Sequence, residues 1–206
     1  ARELAWLDSL TMEQFSPASH TNSVHAPAQE ADAAPAEFGP RDFRNALGRF
    51  ATGITVITMC APTAEGDEAS NGQDGIYGLT VNAFMSVSLD PPLVAVSIDK
   101  RARAHATLLG AERFGVSVLA EGQQRLSDAF AGRPVQPPDQ PFERFAGFPV
   151  LRGALAQLVL STHQVHSAGD HTIFIGKVEA LRYGEGQPLL FSQGRYEQLP
   201  AAQPSS

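Results

Sequence analysis

Residues 154–182 read ALAQLVLSTHQVHSAGDHTIFIGKVEALR. Two runs rich in apolar and β-branched residues, about 154–166 and 171–182, flank Ser167-Ala168-Gly169-Asp170. Runs of that composition are strand signals and the glycine between them is a turn signal. The stretch predicts two long strands joined by a short turn. Inside it, GDHTIFIGKV (Gly169–Val178) sets Asp170 and His171 at the mouth of the apolar run Ile173-Phe174-Ile175. A titratable ring at the first residue of a buried strand is well placed to face a ligand. That distinguishes His171 from the other five histidines.

Outward from this pair, further strands are predicted at Ile54–Met59, Gly75–Val81, Leu93–Ile98 and Phe114–Leu119, with a last short one at Leu189–Phe191. The first two can pair as a hairpin whose tip is the polar loop 61–75. Phe43, Leu47 and Phe50 fall at i, i+4 and i+7, one face of a helix that Pro40 opens and Gly53 ends. Short helices are predicted at Arg101–Leu109 and Gln123–Phe130, and residues 132–149 as a Pro-rich loop. Six or seven strands, partly in hairpins and without regular βαβ alternation, define a mostly β chain. An antiparallel barrel with peripheral helices is the natural solution, because closure removes exposed edges.

The 206 residues are 43% hydrophobic, enough for one domain with a real core. Residues 1–38 read as a flexible acidic extension, 39–200 as the barrel domain and 201–206 as a tail. Residues 16–37 are too poor in large apolar side chains to offset their ordering entropy. Leu4, Trp6, Leu7, Leu10 and Phe15 leave a short amphipathic helix open as an alternative for the first 15. The net charge of −7 is uneven: residues 1–39 hold six acidic residues against Arg2, so −5 of it lies there. With no basic face, a nucleic-acid partner is not expected. No apolar run reaches 18 residues and no signal-peptide pattern opens the chain, so neither a membrane span nor secretion is expected. The single cysteine, Cys60, excludes an internal disulfide and fits a cytoplasmic location.

Three constellations carry candidate chemistry. In GLTVNAFMSVS (78–88), Thr80, Asn82, Ser86 and Ser88 alternate with apolar residues. Small polar side chains leave backbone N–H groups approachable, which suits a flat polar ligand or a phosphate; ordinary alternation on a strand edge is the plainer alternative. Pro91 and Pro92 stop pairing, so the segment before them is expected to turn away from the sheet. Lys100, Arg101 and Arg103 stand where a strand gives way to a helix, an anion site or else a solvated basic turn. The third is His163, His166 and His171. His163 and His166 are an odd number apart, hence on opposite faces of one strand, and no carboxylate or thiol cluster completes a ligand set; no metal is expected. No nucleophile elbow, Walker A loop or GxGxxG motif is present. Cys60 ends a predicted core strand and reads as an inert thiol.

Taken in order, these blocks resemble the short-chain flavin reductases, the reductase components of two-component flavin monooxygenases. The resemblance rests on FRNALGRFATGITVIT (43–58), GLTVNAF (78–84), SLDPP (88–92), FGVSVL (114–119), GDHTIFIG (169–176) and PLLFSQGRY (188–196), and covers about residues 40–199. It implies an FMN-binding split barrel of antiparallel Greek-key type, a homodimer, and reduction of FMN or FAD by NADH or NADPH for a partner monooxygenase. It also implies site residues. Tyr77, Gly78, Leu79, Thr80, Asn82 and Ala83 would line the flavin ring and ribityl chain, continued by Ser97, Ile98 and Asp99. Lys100, Arg103 and Ala104 would lie near the flavin phosphate, with Phe130 against the flavin. His171, the candidate catalytic residue, would face the nicotinamide with Phe191, Ser192, Gln193, Gly194 and Tyr196. The alternative is a flavin carrier or sensor on the same barrel, which needs neither His171 nor Phe191–Tyr196.

The chain departs from the family pattern in three places. Ala104 stands where Ser or Thr is common, loop 61–75 is long, and Val159 or Leu160 stands where many relatives have Cys.

Overall fold

The computed structural model describes residues 37–60 and 75–200. The expectations for the extension through residue 36, for loop residues 61–74 and for the tail 201–206 lie outside the described residues. The elements run α1 (Pro40–Leu47), β1 (Thr52–Gly53), β2 (Thr55–Cys60), β3 (Ile76–Val81), β4 (Phe84–Leu89), β5 (Pro92–Asp99) and α2 (Arg103–Leu109). They continue with β6 (Arg113–Val118), α3 (Gln124–Phe130), β7 (Phe142–Phe145), β8 (Phe148–Leu151), β9 (Ala156–Ala168), β10 (His171–Tyr183), β11 (Leu190–Ser192) and β12 (Arg195–Glu197).

Seven strands form one antiparallel sheet in the order β3-β2-β6-β9-β10-β5-β4. Its two edges, β3 and β4, are joined by only Asn82 and Ala83. In a flat sheet those edges would stand about 29 Å apart, six spacings of roughly 4.8 Å. Three peptide units span at most about 11 Å. The sheet must therefore curl until its edges meet, and the Asn82-Ala83 link marks the seam. The Ser97 amide, donating to the carbonyl of Ala83 at 3.1 Å, extends the β4–β5 ladder into that link.

Closure gives the strands an inside and an outside. Ile57, Met59, Leu79, Val81, Val96, Ile98, Phe114 and Phe174 fill the inside, plugged by Ala104 and Leu108 of α2. Full burial of a side chain such as Phe174 contributes roughly 1.5–3 kcal/mol. The outer face of β2 and β3 is covered instead by Leu126 and Phe130 of α3, with Leu119, Leu151 and Phe191. The hydroxyls that this cover buries are paired: Thr58 donates to Pro149 O at 2.6 Å and Thr80 to Ser127 O at 2.7 Å.

The β9–β10 hairpin forms as read, with Gly169 and Asp170 as a two-residue turn. Gly169 has φ +59°; positive φ at the first turn position alone is what a type II′ turn requires of glycine. The predicted β2–β3 hairpin also forms.

Three expectations are corrected. Helix α1 stops at Leu47, capped by Gly48, and Thr52-Gly53 pairs with β11 instead of ending the helix. Its periodic face is not core-facing: Phe43, Leu47 and Phe50 are all exposed. Residues 84–89 do not turn away from the sheet. They form edge strand β4, paired to β5, with Pro91 in the tight connection where no ladder hydrogen bond is needed. The Pro-rich stretch contains the β7–β8 hairpin, because Phe142, Phe148 and Val150 are apolar enough to dock on the outer face.

Candidate active site

The seam organises the site. On β5, Val96 and Ile98 point inside, so Ser97 and Asp99 point outside. On β10, Phe174 and Thr172 are buried, so Ile173 and His171 are on the outer side, opposite Ser97 and Asp99 in register. Gly78, Thr80 and Asn82 share that outer side of β3. Two groups of segments far apart in sequence form here: 97–100 with 170–171, and 78–83 with 127–133 and 191–196, linked by the Ser97 amide to Ala83 O.

His171 is held by its neighbours. Its Nδ1 lies 2.7 Å from Asp170 Oδ1. That contact places the proton on Nδ1 and leaves Nε2 to a ligand as an acceptor. The hydrogen bond from the imidazole, with its charge when protonated, keeps the Asp170 carboxyl below the ordinary carboxylate range. Lys100 braces the same turn. Its Nζ donates to Ser167 Oγ at 2.8 Å and Gly169 O at 2.6 Å, and its amide donates to Asp170 O at 3.0 Å. Arg101 pairs with Asp99 at 2.6 Å, and its guanidinium hydrogen bonds hold Asp99 below its usual range. The basic turn read as an anion site is thus partly engaged within the protein. Arg103, exposed at the start of α2, has a partner of its own.

A second part of the site is an open, shallow cleft lined by Ile54, Thr80, Asn82, Ser127, Ala131, Arg133, Phe191 and Tyr196. Phe191 and Tyr196 meet edge-to-face at 5.7 Å. The Tyr196 hydroxyl donates to Asp128 Oδ1 at 2.5 Å and contacts Ser127 Oγ at 3.0 Å. Burial, together with the bond to Asp128, pushes the Tyr196 phenol up to about 12. A raised phenol value stabilises the fold below the ordinary tyrosine range, and that contribution is lost as pH rises toward about 12. Absorbance titration of Tyr196→Phe is therefore expected to differ from the parent near pH 12 and to match it near pH 10; a difference confined to pH 10 would refute this.

The predicted residues divide by face. Tyr77, Leu79 and Ile98 pack with the barrel core, and Ala104 is on the buried face of α2; their reach to a ligand is through backbone atoms. Phe130 is buried, its ring packed on Gly78 at the outer side of β3 and contacting Phe142. Ser192, Gln193 and Gly194 form the β11–β12 turn, docked on α1 by the Gln193 amide to Gly48 O at 2.8 Å. His163 and His166 are exposed on β9, and Cys60 is exposed at the end of β2. Sequence reasoning missed Ser127, Asp128 and Arg133. Their only signal was the polar face of a short helix, and what they face is decided by strands 60 residues away.

One orphan remains. Thr52 Oγ1 is buried and has no hydrogen-bond partner among the described residues. Thr52 stands directly opposite Phe191 in the β1–β11 ladder, so the two side chains share a face. A buried hydroxyl with no partner beside a cleft lined by aromatic rings and amide and hydroxyl groups fits a planar, polar ligand.

A closed antiparallel barrel with a polar seam and an aromatic cleft defines a protein that binds flat heteroaromatic ligands. The chain belongs to the flavin reductase like domain family, whose model matches residues 47–200. It is 43% identical over 163 residues to an NADH-dependent flavin reductase from a Rhodococcus species, covering 79% of this chain and 88% of the relative. The solved styrene monooxygenase flavin reductase from Pseudomonas putida S12 is 41% identical, with a TM-score of 0.67 over 79% of this chain and 99% of that one. The Streptomyces globisporus NADH:FAD oxidoreductase SgcE6, solved with NAD and FAD fragments, is 34% identical. Its TM-score is 0.68 over 81% of this chain and 98% of that one.

Proposed function

We propose that this chain is an NADH-dependent flavin reductase that reduces FAD or FMN and supplies the reduced flavin to a partner monooxygenase. NADPH is the alternative donor. The observation that carries the reading is the cleft in which Thr80 and Asn82 face Phe191 and Tyr196. Those two segments bear the flavin and nicotinamide roles that the family resemblance assigns.

The bound flavin supplies the hydride acceptor and the nicotinamide the hydride. The protein's work is positioning. The outer wall of Thr80, Asn82, Ala83, Ser97 and Asp99 holds the flavin, and Arg103 with the Lys100 backbone lies toward its phosphate. His171 Nε2 accepts from the nicotinamide carboxamide, while Asp170 and Lys100 fix the ring's direction. Phe191 and Tyr196 keep water from the meeting point. No side chain is required as a general acid.

The same reading takes the protein as a homodimer in the cytoplasm. Exposed apolar side chains support the dimer: Phe43, Leu47 and Phe50 around α1, and Met85, Val87 and Leu89 on edge strand β4. Among the described residues no helix is long and apolar enough to cross a membrane.

The decisive assay is oxidation of NADH with added FMN or FAD and no other substrate. Rapid turnover is expected; flavin binding without oxidation would replace the reductase with a carrier. For Arg103→Ala, flavin affinity measured by fluorescence quenching is expected to fall about tenfold, as for loss of a charge-assisted bond. Unchanged affinity would remove Arg103 from the phosphate site.

A further inference from the structure

Arg133 is not part of the site that the sequence marks out, yet it lines the cleft. It follows α3, on the outer side of β3, whereas Arg103 opens α2, which plugs the inner side. The two cations therefore belong to different ends of the site. Arg133 Nη1 is paired with Asp128 Oδ1 at 2.9 Å, and its guanidinium lies 5.8 Å over the Tyr196 ring. The same Asp128 oxygen receives the Tyr196 hydroxyl. One carboxylate thus aims both an aromatic ring and a planar cation at one cleft. A guanidinium held this way keeps further N–H donors in a rigid fork, a match for phosphate oxygens.

We propose that Arg133 is a specificity residue for the hydride donor, binding the pyrophosphate of the nicotinamide dinucleotide while Tyr196 and Phe191 border its ring. Asp128 is the positioning residue that holds Arg133 and Tyr196 in register. The proposal rests on the reductase reading above. Pyrophosphate also occurs in FAD, and the test separates the two sources.

The test compares NADH with 1-benzyl-1,4-dihydronicotinamide, a hydride donor without phosphates, in the wild type, Arg133→Ala and Arg133→Lys, with saturating FMN. A phosphate contact made equally in the ground and transition states changes KM and leaves kcat alone. Arg133→Ala should raise KM for NADH roughly ten- to hundredfold, the loss of a charged hydrogen bond. Its KM for the benzyl donor should stay within about twofold of wild type, and Arg133→Lys should recover part of the loss. Equal damage with both donors would reduce Arg133 to a structural prop and overturn the proposal. So would a loss of FAD affinity with KM for NADH unchanged, which would assign the pyrophosphate to the flavin. Failure of the wild type to oxidise either donor would instead bring down the reductase reading itself, and this proposal with it.

Discussion

Replacing His171 with alanine is expected to raise KM for NADH about fivefold and to lower kcat by roughly ten- to hundredfold, with flavin affinity within about twofold of wild type. The first figure is the loss of one net hydrogen bond of about 1 kcal/mol. The second follows because a donor carbon displaced by about 1 Å from its partner loses rate on the order of 10²-fold. Flavin binding is expected to survive because the proposed flavin wall is built from β3 and β5, while the His171 ring hydrogen-bonds with Asp170 in the turn. His171→Gln, which keeps an acceptor near the Nε2 position, should recover part of kcat. Steady-state oxidation at saturating flavin and a fluorescence titration give the three quantities. Wild-type kinetics in the alanine variant would end the positioning role.

The second large effect is on stability. A Cβ on Gly78 would sit 2.4 Å from Phe130 Cδ1 and 2.7 Å from Cε1. Phe130 has no room to yield, since its ring is buried and tilted against Phe142 at 5.5 Å. Gly78→Ala must therefore push α3 away from β3. Overpacking of this kind costs about 1–3 kcal/mol, and for a domain of this size each kcal/mol is worth roughly 2–4 °C in Tm. A fall of roughly 5–10 °C is expected by calorimetry. Because α3 carries Ser127 and Asp128, the same variant should lose affinity for NADH. Phe130→Leu in the Gly78→Ala background should restore part of the Tm by giving the methyl group space. An unchanged Tm in the single variant would show that α3 is not seated on Gly78.

Much of this was legible along the chain. The β9–β10 hairpin carries its own instructions: β-branched alternation, and a glycine where positive φ is needed. Strands β2, β3, β5 and β6 announced themselves by apolar runs, and the ordered motifs marked the family. Elements with weak local signals were misread. Strand β4 looked like a departing loop because its alternation is polar and it ends at prolines, yet an edge strand needs pairing on one side only. The periodic face of α1 was legible, but periodicity reports which residues share a face, not what covers it. In this protein Phe43 and Leu47 are exposed.

The sequence by itself determined the main core strands, the turn that presents His171 and the family. Only the tertiary structure decided how the site is assembled. The two-residue Asn82-Ala83 link forces the edges of a seven-stranded sheet together, and which residues face out at that seam depends on strand register. Lys100, read as a phosphate ligand, became a brace for the His171 turn. Arg133 and Asp128, unremarkable along the chain, became the far end of a cleft completed by Tyr196 some 60 residues later. A local pattern fixes an element and its faces; long-range contacts made when the sheet closes fix what each face meets.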